Sequence, residues 1–234
     1  MEKATSRSRT ALLVLAGVMA GSLGTTLIMT SVSAQGSKAR KPYVRLTTPR
    51  VLPVDPKDFT EEQKAAVGTG TPNLNFRTAL YEPELGKRWW SWLTFVWNPE
   101  PRKGAALTLY DKELVILRVN YLCHDDWVWG QHVPIAKRNG RTDADIDRIP
   151  SGPAASGWNQ KDRALLQAVQ ELHEDYFISD ETWAALSKIY DTRQMLDLIF
   201  TVGNYHLNAL YTNSVGMPYQ PGFGGIPATV AGNR

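Results

Sequence analysis

From Thr60 to Val215 the chain is broken at helical intervals by residues that start or stop helices, and no stretch alternates apolar and polar residues as a half-buried strand does. This punctuation restricts the chain to helix-on-helix packing. Thr60-Glu61-Glu62 opens a short helix that ends near Gly68, and Asn73 to Tyr81 is a second. Glu82 to Trp97 is a third, with Trp89, Trp92, Leu93 and Val96 at helical spacing, stopped by Pro99 and Pro101. Leu109 to Leu122 follows, then a helix capped by Asp125 or Asp126 that closes at Asn139-Gly140. Thr142 begins a short helix, Pro150 to Gly157 is a loop, and three helices over 160–176, 180–190 and 192–214 complete the body. The expectation is an all-α, single-domain fold of eight or nine helices over residues 57–216. An extended arm (35–56) precedes it and an irregular tail (217–234) follows.

Charge and composition remove several function classes. A single cysteine, Cys123, excludes an intrachain disulfide framework. The net charge of +3 suggests a nucleic-acid partner only until it is located. Residues 1–34 carry net +2 and residues 35–50 net +5, whereas the rest holds 18 basic and 22 acidic side chains, net −4. The body is mildly acidic, so no nucleic-acid site is expected. Residues 1–34 read as an export signal. Lys3, Arg7 and Arg9 precede the uncharged stretch Ala11–Met29, and Val32-Ser33-Ala34 offers small residues before Gln35. The 19-residue stretch is also long enough to stay as a membrane anchor. Either way the body is expected to be exported, periplasmic or extracellular, touching a membrane only through residues 1–34.

The segment that carries chemistry is 109–140, LYDKELVILRVNYLCHDDWVWGQHVPIAKRNG. Lys112-Glu113, Ile116-Leu117-Arg118 and Trp129-Gly130-Gln131-His132-Val133-Pro134 resemble the carboxymuconolactone decarboxylase family, which includes the alkylhydroperoxidase D-like proteins. Val202-Gly203-Asn204-Tyr205-His206 is similar to its last helix. In the redox branch of that family a Glu is followed by Cys-x-x-Cys-x-x-x-His. Counting back from His132, the cysteine positions fall on Asp125 and Val128 and the Glu position on Glu113. Both redox sulfurs are missing, and Cys123 lies two residues outside the motif. A dithiol peroxidase needs an attacking thiolate and a resolving partner, so the resemblance implies the other branch, cofactor-free lyases or isomerases acting on small lactones or carboxylic acids. Peroxide reduction and non-enzymatic binding on the same fold are the alternatives.

Within that reading His132 and Glu113 are the catalytic candidates, since a carboxylate can fix the tautomer of a histidine that moves protons. The same pair also suits a buried ion pair locking two helices. Trp127 and Trp129 on the His132 helix, and Tyr205 and His206 on the last helix, are pocket candidates. Arg118 reads as an interhelical or intersubunit ion-pair residue. His124, Asp125, Asp126 and His132 lack metal-ligand spacing, so no metal and no cofactor are expected. The resemblance also implies a homo-oligomer, a trimer or hexamer, with the tryptophan-rich stretch 85–97 and the two irregular tails as contact candidates.

Overall fold

The computed structural model describes residues 46–70, 72–218 and 222–226, all within one compact unit. The export signal expected at residues 1–34 falls outside the described residues. Nine α-helices run in chain order: α1 (Glu61–Val67), α2 (Leu74–Ala79), α3 (Pro83–Trp97), α4 (Leu109–Leu122), α5 (Asp126–Arg138), α6 (Asp143–Arg148), α7 (Gln160–Glu174), α8 (Asp180–Leu186) and α9 (Thr192–Val215). No strand occurs among the described residues.

Each of these helices starts on a side chain that accepts a free first-turn N–H. The caps are Thr60, Asn73, Glu82, Thr108, Asp125, Thr142, Asn159, Ser179 and Asp191. Thr60, Thr142 and Asp191 form capping boxes with Gln63, Asp145 and Gln194, so two backbone donors are satisfied at one end. A 3₁₀ turn, Ile149–Ser151, occupies the start of the expected 150–157 loop. α8 stops at Leu186, four residues short of the expected end.

The centre of the molecule is α4. Every residue from Asp111 to Tyr121 is buried, because α4 packs against α5, α7 and α9 together. Leu114, Val115, Ile116, Leu117 and Val119 meet Leu165, Leu166 and Val169 of α7 and Leu198, Val202 and Tyr205 of α9 in one core. Removing one such buried leucine side chain costs about 2–5 kcal/mol.

α4 also carries four charged residues into this interior, and burying a charge is costly unless it is paired. Asp111 accepts from Lys161 at 2.5 Å. Lys112, fully buried, sits 2.9 Å from Asp197 and donates to the Val96 carbonyl at 2.6 Å. Arg118 departs from the expected ion pair. Its donors go to the Ile149 and Pro150 carbonyls at 2.8 and 2.9 Å and to Gln170 Oε1 at 2.6 Å, so it ties the 3₁₀ turn to α4 and α7. Glu113 is the fourth and belongs to the site.

The described part of the arm packs on the body. Arg50 and Val51 N–H donate to the Val215 carbonyl, and Val54 N–H donates to Arg77. The described part of the tail crosses α5, where a Cβ on Gly130 would lie 2.3 Å from the Gly224 carbonyl oxygen.

Candidate active site

The site begins with the turn that folds α5 back against α4. Cys123 ends α4. Asp125 N–H bonds to the Asn120 carbonyl at 2.9 Å and His124 N–H to Tyr121 at 3.2 Å, the paired bonds of a Schellman turn. Asp125 then caps α5. A three-residue connection this tight forces the helices to run antiparallel in contact. Glu113, three turns before the break, and His132, two turns after it, therefore meet.

His132 Nδ1 lies 2.8 Å from Glu113 Oε2, and Trp97 Nε1 donates to Glu113 Oε1 at 3.0 Å. Glu113 is fully buried and His132 is 8% exposed. An ionised carboxylate only accepts, so the Nδ1 nitrogen carries the hydrogen and Nε2 presents its lone pair. Tyr205 of α9 stands at that nitrogen, its hydroxyl 3.2 Å from Nε2 and its ring edge-on to the imidazole. Burial, with the Glu113 charge adding to it, pushes the Tyr205 phenol well above its ordinary range, so the hydroxyl stays protonated and donates to Nε2. Trp97, Glu113, His132 and Tyr205 form one hydrogen-bonded chain from α3 through α4 and α5 to α9.

The chain ends at a pocket of about 210 Å³. His132 and Tyr205 face it, while Glu113 stands behind the imidazole. Trp90, Leu93, Trp97, Trp127 and Ile135 make the pocket largely apolar. Among the described residues, the Trp127 indole N–H and the Asn208 amide oxygen, on two residues of this wall, are buried without a protein hydrogen-bond partner.

Of the pocket candidates, Trp127 and Tyr205 come together with His132. Trp129 and His206 do not. Successive residues of an α-helix point about 100° apart, so Trp127 and Trp129 leave opposite sides of α5. Trp129 is a core residue packed on Tyr121, and it lines a different cavity under the C-terminal tail. His206 turns away from Tyr205 into a third pocket, beside Cys123 and His173. The sequence offers Asp125 as a cap and at a cysteine position of the redox motif. In the structure it is 1% exposed and accepts from Val128 N–H at 2.9 Å and from the Thr212 hydroxyl at 2.5 Å. Burial raises its carboxyl to about 6 against these two hydrogen bonds. Asn208 was also missed; it is one helical turn from Tyr205, which is the signal that would have found it.

Comparison with known proteins agrees with this fold. Residues 83–171, from α3 to α7 and including Glu113 and His132, match the sequence model of the carboxymuconolactone decarboxylase family. No curated protein matches the chain. A debrominase solved in complex with 2,3,4-tribromopyrrole has a TM-score of 0.59 at 10% identity, covering 75% of this chain and 94% of its own. An uncharacterized peroxidase-related protein from Silicibacter sp. gives 0.58 at 11% identity, over 80% of this chain and 97% of its own. The alkylhydroperoxidase AhpD core of a peroxidase-related protein from Ralstonia eutropha gives 0.55 at 13% identity, over 63% and 77%. At such identities the likeness is one of fold.

Proposed function

We propose that the chain, which matches the carboxymuconolactone decarboxylase model over residues 83–171 and shares the fold of the alkylhydroperoxidase AhpD core, is a cofactor-free lyase or isomerase. It would act on a small lactone or carboxylic acid by acid–base chemistry. The observation that supports this most is the carboxylate–imidazole–phenol chain ending at an apolar pocket. Glu113 orients His132 and stabilises it when it becomes charged. The imidazole would take a proton from the substrate carbon through the Tyr205 hydroxyl, which passes its own proton to Nε2 as it receives the substrate's, and the reverse transfer would return it to the carbon that gains one. The tryptophan walls exclude water and so strengthen both contacts. A cavity of about 210 Å³ is below the ~300–1,000 Å³ usual for drug-sized ligands, so the substrate is small. A debrominase of this fold holds a tribromopyrrole, which supports a flat ring as substrate.

The peroxide-reducing alternative is weakened by two placements. Asp125 stands where a redox cysteine would stand and is occupied as the α5 cap. Cys123 lines a pocket other than that of His132. The leader argues for a substrate met outside the cytoplasm.

We further propose a homo-oligomer. Leu196, Phe200, Leu207 and Leu210 are exposed along one face of α9, beside exposed Trp92 and Phe95 of α3. Such a continuous apolar face is what a second copy of the chain would cover.

A panel of small lactones and unsaturated or halogenated ring acids, followed by NMR with wild type and His132→Ala, tests the catalytic reading. Loss of a proton-moving group is expected to lower turnover about 10²–10⁴-fold. Equal turnover by the variant would defeat the reading. Robust peroxide consumption abolished by Cys123→Ser would install the redox alternative.

A further inference from the structure

A pocket of about 600 Å³ lies away from His132. Three soft or borderline donors meet at its wall from three separate elements. Cys123 is the C-cap of α4, His173 is in the last turn of α7, and His206 is in the middle of α9. Cys123 Sγ is 4.0 Å from His173 Nδ1, and His173 Nδ1 is 2.9 Å from His206 Nε2. All three ligand atoms lie within 4.8 Å of one another.

The hydrogen-bond pattern points the His206 lone pair inward, toward the His173 Nδ1–H. His206 Nδ1 is 2.9 Å from the Val202 carbonyl, which can only accept. That bond places the ring hydrogen on Nδ1 and leaves Nε2 as a bare donor facing the cluster. A backbone carbonyl holding the far nitrogen of a histidine is the usual outer support of a metal ligand.

Two helix exits shape the same wall. Among the described residues, only His124 and Tyr176 have a left-handed backbone without being glycine, with φ of 57° and 58°. Each follows the C-cap of its helix, α4 or α7, where a left-handed residue closes the last turn, and both line this pocket.

We propose that Cys123 Sγ, His173 Nδ1 and His206 Nε2 bind one Zn²⁺ ion, leaving a fourth position open to the pocket. With Zn–N near 2.0–2.1 Å and Zn–S near 2.3 Å, tetrahedral ligand atoms stand about 3.3–3.6 Å apart. The observed 2.9 and 4.0 Å bracket this spacing, and small side-chain rotations close the difference. One thiolate and two imidazoles suit zinc better than magnesium or calcium, which take oxygen. On binding, the Cys123 S–H bond breaks, the Zn–S bond forms and one proton passes to solvent. His173 keeps its proton, moved from Nδ1 to Nε2. Leu122, Leu172, Ile199 and Leu210 wall the open side. The fourth position therefore suits a small apolar molecule carrying one oxygen, nitrogen or sulfur donor.

Metal-free, reduced full-length protein is titrated with Co²⁺ and then Zn²⁺. One equivalent of Co²⁺ is expected to give a thiolate-to-metal charge-transfer band with tetrahedral visible absorption, bleached by one equivalent of Zn²⁺. Cys123→Ser abolishes the band, and His173→Gln and His206→Gln each weaken Zn²⁺ binding at least tenfold. One equivalent of Zn²⁺ also slows alkylation of Cys123 in the wild-type protein at least tenfold, a readout that needs no variant to fold. Absence of a stoichiometric band, its persistence in Cys123→Ser, or an unchanged alkylation rate overturns the site.

Discussion

His132 is held by two residues of opposite character, a carboxylate at Nδ1 and a phenol at Nε2. Removing either should leave a folded protein with a differently disposed imidazole. Tyr205→Phe takes away the hydroxyl while keeping the ring packed, and is expected to lower kcat more than it raises KM. A change confined to KM would make Tyr205 a wall rather than a proton donor. Asp125 offers a pH test. Its carboxyl stands at about 6 in the folded protein against 3.8 ordinarily. The folded state thus holds a proton that the unfolded chain releases. The stability this gives is complete below about pH 3.8 and is lost as pH rises through 6. Asp125→Asn keeps the cap and carries no charge, so it is expected to gain on wild type by up to about 3 kcal/mol at neutral pH. The gain should vanish near pH 4, as urea unfolding at both pH values would show. Parallel pH profiles would contradict the assigned carboxyl. Glu113 and His132 were legible because their spacing fits a known motif. Trp129 and His206 were misplaced because neighbours in sequence leave a helix on different sides, and sequence alone does not say which side meets the pocket.

The helices were legible to within a few residues, and the reason is local. Their starts are side-chain caps whose bonds span three residues, as at Asn73, Thr108 and Asn159. The ends were less legible. α8 stops at Leu186 because the chain turns to bring Tyr190 into the core, and that is a tertiary event. The α4–α5 turn carries a left-handed His124 where glycine is the natural residue. His124→Gly is expected to stabilise the fold by about 0.5–1 kcal/mol, measured by urea unfolding. A loss of stability would mean that the His124 side chain contributes more than its backbone strain costs. At α5, Gly130 lets the tail approach closely. Gly130→Ala places a methyl against the Gly224 carbonyl, so it is expected to free the tail and speed its proteolysis, with the helical content unchanged. Unchanged proteolysis would show that the tail is held elsewhere.

At the scale of the molecule, no helix among the described residues is long and apolar enough to cross a membrane. An exposed apolar face runs along α9 and α3. If a second copy covers it, light scattering after size exclusion gives a mass above that of one chain, and Phe200→Glu with Leu210→Glu returns it to the monomer. A monomeric wild type would contradict the homo-oligomer. The sequence showed the tryptophan-rich α3 as a contact candidate. It did not show the α9 stripe, because α9 is apolar on two sides and only the fold tells which is left uncovered. Three cavities separate around α4, α5 and α9, and the proposed chemistry belongs to the one at His132, where Glu113 and His132 act together on a proton. Comparing kcat of wild type, Glu113→Gln and His132→Ala on one turned-over substrate tests this pairing. Both variants are expected to fall about 10²–10⁴-fold, and full turnover by both would contradict it.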